Sequence, residues 1–197
     1  MTPDHIDGLS DFPKGESIIG NLLLAYGDLE VWMASCLGAT WGESTEGFKV
    51  LYRLRSEANR LDIADALLVP AVTRLKLLTV YNKAYAAMRH CKKIRNQYAH
   101  CQWSKGKTEN EAYFLNLEQG ANAEGHLRIY HVDLPLLVNQ QRYFRYCADL
   151  WCYLQGEIEL RDGLEKENTF RSPKVVQETS LHNPPRSRAR QATSSSR

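Results

Sequence analysis

Long hydrophobic runs are missing from this sequence, which has no stretch of about eighteen apolar residues such as a membrane-spanning helix needs. The N-terminus, from Met1 to His5, is acidic and turn-rich, whereas a signal peptide starts with a basic end and an apolar core. The cysteines number five, an odd count, and lie mostly at helical core spacings, so no disulfide framework is indicated. These absences predict a soluble, cytoplasmic protein with reduced, buried thiols.

Acidic residues are absent from Ala66 to Thr108, although this stretch contains many Lys and Arg residues. The formal net charge of the whole chain is +2. Residues 171–197 carry a net charge of +5, which leaves −3 for residues 1–170. The acid-free stretch is therefore expected to attract anions locally, inside a mildly acidic body.

The hydrophobic pattern predicts one helical domain, because 43% of the 197 residues are apolar and most of them recur at helical spacing. Residues 112–118 and 127–132 alternate like short strands around a loop from Gln119 to His126, which predicts a β-hairpin. We expect an all-α bundle of four to five helices with this hairpin inserted before the last helix. The helices are expected from about Ser17 to Leu37 with Gly38 as a stop, from Ser44 to a break at Pro70, from Ala71 to about Cys101, and from a cap at Asp133 onward.

The domain boundaries follow from composition. Residues 1–13 are assigned to an N-terminal extension, and residues 14–169 to the helical domain with its hairpin at 112–132. Residues 170–197 turn to Pro, Ser, Arg and Gln with little to bury, so they are expected to be a disordered basic tail. Arg186, Arg188 and Arg190 in this tail could add weak, salt-sensitive attraction to RNA, although such tails are more often solubilising or linker-like.

Arg95 is the first residue of the third helix that needs an explanation. On a helical wheel it falls on the apolar stripe, within about 60° of Met88, Cys91 and Tyr98. An always-charged guanidinium on such a stripe must be paired, must reach solvent, or must face a cleft or partner.

Asn96 and His100 stand one turn apart on the basic face of the same helix, with Arg89, Lys92 and Lys93. A histidine held where a phosphate would bind suits RNA cleavage by internal transphosphorylation, in which histidine moves protons and arginine stabilises charge. Arg95 and His100 lie about 140° apart on the wheel, so one regular helix would not point both at one atom. We therefore expect a composite site across a homodimer.

The sequence Arg95-Asn96-x-x-x-His100 resembles the Arg-polar-x(3 to 5)-His signature of HEPN domains, which occur as RNases in toxin and anti-phage systems. The long helix with this motif near its end, inside a helical bundle spanning residues 14–168, resembles them as well. The motif itself is only three residues wide, so its context carries much of the resemblance.

The resemblance implies a metal-independent endoribonuclease without a cofactor, which leaves 2′,3′-cyclic phosphate ends on RNA. Arg95 would bind and stabilise the phosphate, Asn96 would orient it or its neighbour, and His100 would perform acid and base catalysis. The resemblance also implies a dimer with the two motifs in one cleft. Toxin–antitoxin and antiviral defence systems are the implied settings, with an antitoxin or other partner protein possible.

Two other interpretations compete with catalysis. In the first, Arg95 forms a structural salt bridge and His100 caps the helix end, where a cationic imidazole complements the dipole. In the second, the chain is a noncatalytic module whose basic helix binds a nucleotide, a nucleic acid or an acidic protein. Some HEPN domains are of this second kind, and function does not follow from fold alone.

Several further residues are supporting candidates. Glu30 intrudes on an apolar face, so it could pair with Arg95 or Arg60, or simply reach solvent at the edge of the core. Arg60 is adequately explained by a solvated ion-pair face and is at most an indirect support of the site. Trp103 could contact substrate. The His-Cys pairs at 90–91 and 100–101 are about 15 Å apart along a helix, so no metal site is expected.

Overall fold

The computed structural model describes residues 7–117 and 128–184. A short 3-10 turn, Asp7–Leu9, leads into five helices: α1 (Pro13–Ala39), α2 (Ser44–Leu51), α3 (Glu57–Arg74), α4 (Leu78–Ala99) and α5 (Leu134–Arg161). Three strands lie between α4 and α5: β1 (Cys101–Lys105), β2 (Glu111–Asn116) and β3 (Ile129–Asp133). The prediction of a mostly helical bundle with a small β insertion is confirmed.

Helix α1 lies at the centre of the bundle and packs against α2, α4 and α5. Met33, Cys36 and Leu37 of α1 are fully buried, as are Met88 on α4 and Trp151 on α5. Gly38 was predicted to end this helix but lies inside it, near the crossing with α2. Gly47 of α2 makes the same crossing possible, because a Cβ atom there would lie 1.9 Å from the carbonyl oxygen of Ala34.

Helix α1 is also long and apolar enough to cross a membrane by length and composition. More than half of its most apolar window is buried inside the bundle, which is ordinary for the core helix of a soluble protein. One such helix near the N-terminus is not the pattern of a membrane protein. Residence in the cytoplasm stays a prediction.

The predicted second helix, from Ser44 to Pro70, is wrong in two respects. It consists of two helices, because α2 ends at Leu51 and Ser56 caps α3, accepting a hydrogen bond from the Asn59 N–H. Pro70 lies inside α3 instead of ending it. Pro70 and Ala66 are both exposed, so water can reach the Ala66 carbonyl that loses its helical donor.

The predicted third helix was expected to begin at Ala71, but a tight turn separates α3 from α4. Lys76 adopts a left-handed conformation in this turn, with φ of 59°. The Arg161 guanidinium, at the end of α5, donates hydrogen bonds to the carbonyls of Leu75 (2.6 Å) and Lys76 (3.1 Å). A residue 85 positions away thus satisfies carbonyls that a continuous helix would have satisfied internally.

The predicted hairpin is present as β2 and β3, which pair antiparallel with Phe114 opposite Tyr130. Its expected loop, from Gln119 to His126, lies outside the described residues. Strand β1 was not predicted and adds a third strand on the other side of β2, with Trp103 opposite Phe114. Asp133 caps α5 as expected, accepting a hydrogen bond from the Leu136 N–H at 2.9 Å.

Both ends of the described chain contact the helical domain. Phe12, in the presumed N-terminal extension, is 2% exposed and belongs to the core. Residues 170–184, the C-terminal strap, have no regular secondary structure and run past α5 back to the sheet. Backbone carbonyls of Ser180 and Leu181 accept hydrogen bonds from Gln140, and the Asn183 N–H donates to the His131 carbonyl. The remaining tail, residues 185–197, lies outside the described residues.

Candidate functional site

The three residues of the predicted motif lie at the C-terminal end of α4. The helix ends at Ala99, and His100 follows it with non-helical backbone angles. The His100 N–H donates a hydrogen bond to the Asn96 carbonyl at 3.2 Å, which closes the last turn. His100 is exposed to solvent, while Arg95 and Asn96 are partly buried.

Arg95 is held by three neighbours. Its Nη1 donates a hydrogen bond to Oδ1 of Asn96 at 2.8 Å and forms an ion pair with Oε2 of Glu57 at 3.0 Å. Its guanidinium carbon lies 5.7 Å from the centre of the Tyr26 ring, a cation–π distance. The Arg95 side chain stays 32% exposed, so it is fixed in place and still open to a ligand.

His100 does not share these contacts. Within the described residues, the hydrogen bond and the ion pair of Arg95 go to Asn96 and Glu57. The structure therefore brings Arg95 and Asn96 together in one subunit and leaves His100 beside them on the exposed side of the helix end. A site that uses both Arg95 and His100 on one phosphate needs a second surface, so the composite site stays a prediction.

Glu57 is the residue of this site that the sequence did not reveal. Its carboxylate is 17% exposed and contacts Arg95 at 3.0 Å and Lys92 at 3.6 Å. The sequence placed Glu57 with Arg53 and Arg60 on one solvated face of a continuous helix. The break between α2 and α3 puts Glu57 in the first turn of α3, where it faces α4.

Glu30 and Arg60 form the second ion pair next to this one. Nε and Nη2 of Arg60 donate to the two oxygens of Glu30 at 2.8 and 3.2 Å, and the side chains are only 17% and 10% exposed. The hydrogen bond to Glu30 raises the pKa of Arg60, against the lowering effect of burial. Of the two partners proposed for Glu30, the structure shows Arg60, and the expectation of a solvated face for Arg60 is wrong.

Tyr26 links the two ion pairs. Burial raises the pKa of the Tyr26 phenol far above its usual value, and the carboxylates of Glu57 and Glu30 raise it further. We call the cluster of Tyr26, Glu30, Glu57, Arg60 and Arg95 the arginine corner. It joins α1, α3 and α4 beside the motif.

The remaining candidates fall into two groups. Arg89 and Lys93 are exposed on α4, where a phosphate backbone could reach them, while Lys92 turns towards Glu57. Trp103 was proposed as a substrate contact, but its ring packs 5.5 Å from Tyr98 and 5.2 Å from Phe114. Trp103 therefore holds the sheet against the end of α4, and we assign it a packing role.

The motif is open to solvent at His100 and in part at Arg95. Among the described residues, cavities of about 350 and 370 Å³ occur beside the β1–β2 turn and between α5 and the C-terminal strap. Neither is lined by Arg95, Asn96 or His100. An open surface suits an extended or macromolecular ligand better than a small enclosed one.

No family model, curated protein or solved structure matches this chain. The fold and the site therefore define only a class: a helical bundle with a small antiparallel β insertion, which carries an arginine corner beside an exposed histidine.

Proposed function

We propose that this chain is a metal-independent endoribonuclease that cleaves RNA by 2′-OH transphosphorylation, with the motifs of two subunits in one cleft. The observation that carries this proposal is the placement of Arg95. Glu57 and Asn96 hold its guanidinium at the end of α4, partly exposed, five residues before the exposed His100. The HEPN-like signature in the sequence supports the same reaction.

The reaction needs three tasks from these side chains. A neutral imidazole removes the proton from the 2′-OH as its oxygen attacks the adjacent phosphorus. The guanidinium of Arg95 stabilises the negative charge that gathers on the phosphorane, with Asn96 fixing its orientation. A cationic imidazole then gives a proton to the leaving 5′-oxygen, which yields a 2′,3′-cyclic phosphate and a free 5′-OH. Two motifs in one cleft provide two imidazoles for these opposite proton transfers.

The test is incubation of purified protein with mixed RNA in excess chelator, followed by analysis of the product ends. Wild type should give cyclic-phosphate ends, and His100→Ala should lose at least about 100-fold in rate. Gln102→Ala, which removes an exposed side chain two residues further on, is the matched control and should cleave like wild type. Cleavage by His100→Ala at the wild-type rate would rule out the proposed role of His100.

The composite site has its own test in mixed subunits. Arg95→Ala and His100→Ala should each be inactive alone. Mixed together, they should regain part of the activity, because the cleft of a mixed dimer combines one intact arginine with one intact histidine, which can serve one of the two proton transfers. A protein that sediments as a monomer at micromolar concentration would contradict this arrangement.

One observation favours a second function, that of a noncatalytic module binding a nucleotide, a nucleic acid or an acidic protein. The carboxylate of Glu57 already compensates the charge of Arg95, as a structural salt bridge would. In that case His100→Ala alters binding or stability, and neither wild type nor the variant turns over RNA. Intact RNA with every variant, together with measurable RNA binding, would favour this module. A toxin or anti-phage role, an antitoxin partner and a cytoplasmic location belong to the nuclease proposal.

A further inference from the structure

An exposed aromatic ring lies at the corner between α2 and α3. Tyr52 follows the last residue of α2 and remains 49% exposed. Its ring lies 6.1 Å from the ring of Phe48, in a stacked arrangement at 21°, and the guanidinium carbon of Arg60 lies 5.5 Å from its centre. Half of the side chain thus faces solvent while two neighbours hold the ring in place.

Arg60 fixes the loop between α2 and α3 in place. Two of its nitrogens bind Glu30, and Nη1 donates a hydrogen bond to the Leu54 carbonyl at 3.0 Å, in the loop that follows Tyr52. The loop and the ring are therefore both tied to a largely buried ion pair. A ring held in this way loses little conformational freedom when a planar ligand stacks on it.

The charged residues next to Tyr52 in the sequence are all basic. From Gly47 to Ser56 the sequence contains Lys49, Arg53 and Arg55 and no acidic residue. Arg53 and Arg55 are exposed in the loop itself. A single exposed aromatic residue is ordinary on a protein surface, but an immobilised one among exposed cations is what single-stranded nucleic acid binds.

The arginine corner connects this ring to the proposed catalytic residues. Arg60, which contacts Tyr52, lies one helical turn from Glu57, which contacts Arg95. On α1, Glu30 and Tyr26 are likewise one turn apart and contact Arg60 and Arg95 respectively. Two neighbouring ion pairs therefore connect Tyr52 to Arg95.

We propose that Tyr52 is a stacking platform for a base of single-stranded RNA, with Arg53 and Arg55 contacting the neighbouring phosphates. The platform directs the strand across the arginine corner to Arg95. This inference rests on the proposed function for the identity of the ligand, since it names the substrate contact of the same site. Stacking is tolerant of base identity, so the platform sets the position of the strand and not its sequence.

The test uses a short single-stranded oligonucleotide with 2′-O-methyl groups, which binds but lacks the nucleophile for cleavage. Tyr52→Ala should weaken binding by about 5- to 100-fold, the range measured when a stacking aromatic is removed. Tyr52→Trp should bind at least as tightly as wild type, because the indole offers a larger ring. Trp41→Ala is the matched control, since Trp41 is 47% exposed but is followed by Glu43 and Glu46.

The outcomes separate this inference from the nuclease proposal. If wild type does not bind the oligonucleotide, or Tyr52→Ala binds it like Trp41→Ala, the platform is excluded even where unmodified RNA is still cleaved. If unmodified RNA stays intact but Tyr52→Ala selectively loses binding, the platform stands and the nuclease fails. Equal losses in Tyr52→Ala and Tyr52→Trp would show a structural role for the tyrosine instead. With an active nuclease, Tyr52→Ala should raise KM for RNA and leave kcat unchanged.

Discussion

His90 lies within α4 and His100 directly follows its end, and each is followed by a cysteine, yet the two histidines have opposite surroundings. The side chain of His90 is 6% exposed, with Nδ1 2.8 Å from a carboxylate oxygen of Glu178 in the C-terminal strap and the Tyr143 ring 5.2 Å away. His100 follows the end of the helix and is exposed. The strap and α5 cover one side of α4, whereas the motif end stays open.

This difference indicates that the two sides of α4 have different roles. On the covered side, Gln97 and Gln140 donate hydrogen bonds to the strap backbone and Glu178 faces His90, so changes there should affect stability. On the open side, Arg95 and Asn96 are fixed but accessible, so changes there should affect binding or turnover. Three experiments test this division, and their expected effects on stability decrease from the first to the third.

The largest loss of stability is expected from Gln140→Leu on the covered side. Gln140 is fully buried, accepts a hydrogen bond from the Tyr98 hydroxyl at 2.6 Å, and donates to the Ser180 and Leu181 carbonyls of the strap. Removing it leaves the buried Tyr98 hydroxyl and two carbonyls of the strap without this partner, so the free energy of unfolding should fall by about 3 kcal/mol. Denaturant unfolding measures this, with the exposed neighbour variant Gln141→Leu as the control. A loss below about 1 kcal/mol would mean that the strap does not stabilise the bundle.

A smaller loss is expected from Glu57→Gln at the edge of the open side. This change removes the carboxylate charge facing Arg95 and Lys92, both of which still reach solvent. The free energy of unfolding should fall by about 1 kcal/mol, because solvent compensates part of the lost ion pair. Glu46→Gln, in an exposed pair with Lys49, is the control and should change stability by less than about 0.5 kcal/mol. Equal effects of the two variants would show that Arg95 is not held by Glu57.

The smallest effect concerns the pH dependence of His90. Burial lowers the pKa of His90, and Lys93 lowers it too, while Glu178 and the Thr179 backbone oppose them. Because the unfolded chain then binds the proton more readily, stability should fall as pH drops from about 7.5 to about 5.5. His90→Phe should flatten this slope by up to about 1 kcal/mol across the window. Melting temperatures at several pH values measure it, with Gln141→Leu as the control that keeps the histidine. An unchanged slope in His90→Phe would exclude His90 as the titrating group.

Local signals in the sequence accounted for much of the fold. Helix α1, the motif helix and the last helix each carry apolar residues at helical spacing over many turns, and Asp133 is a strong capping residue directly before the last of them. The alternating pattern of β2 and β3 was also sufficient to identify the hairpin. Arg95 could be singled out because a permanent charge on an apolar stripe contradicts its surroundings.

Other features could not be predicted from the sequence because they depend on residues far apart in the chain. Strand β1 is stabilised by pairing with β2 and by packing of Trp103 on Phe114. The short sequence of β1 predicts neither contact. The strap has little to bury, but Gln97 and Gln140 supply hydrogen-bond donors for its carbonyls. The break between α2 and α3 depends in part on Arg60, which holds the loop through the Leu54 carbonyl.

Sequence patterns alone were enough to predict a helical bundle with a β insertion and to place Arg95, Asn96 and His100 near one helix end. Helical periodicity and caps act over a few neighbouring residues, so they can be read without a structure. The pairing of Arg95 with Glu57 and of Glu30 with Arg60 depends on how the helices pack against one another. The same packing leaves Tyr52 as an exposed ring beside the Glu30–Arg60 pair. The reason is physical: an ion pair or a stacked ring needs side chains within a few ångströms, and helix packing alone sets those distances.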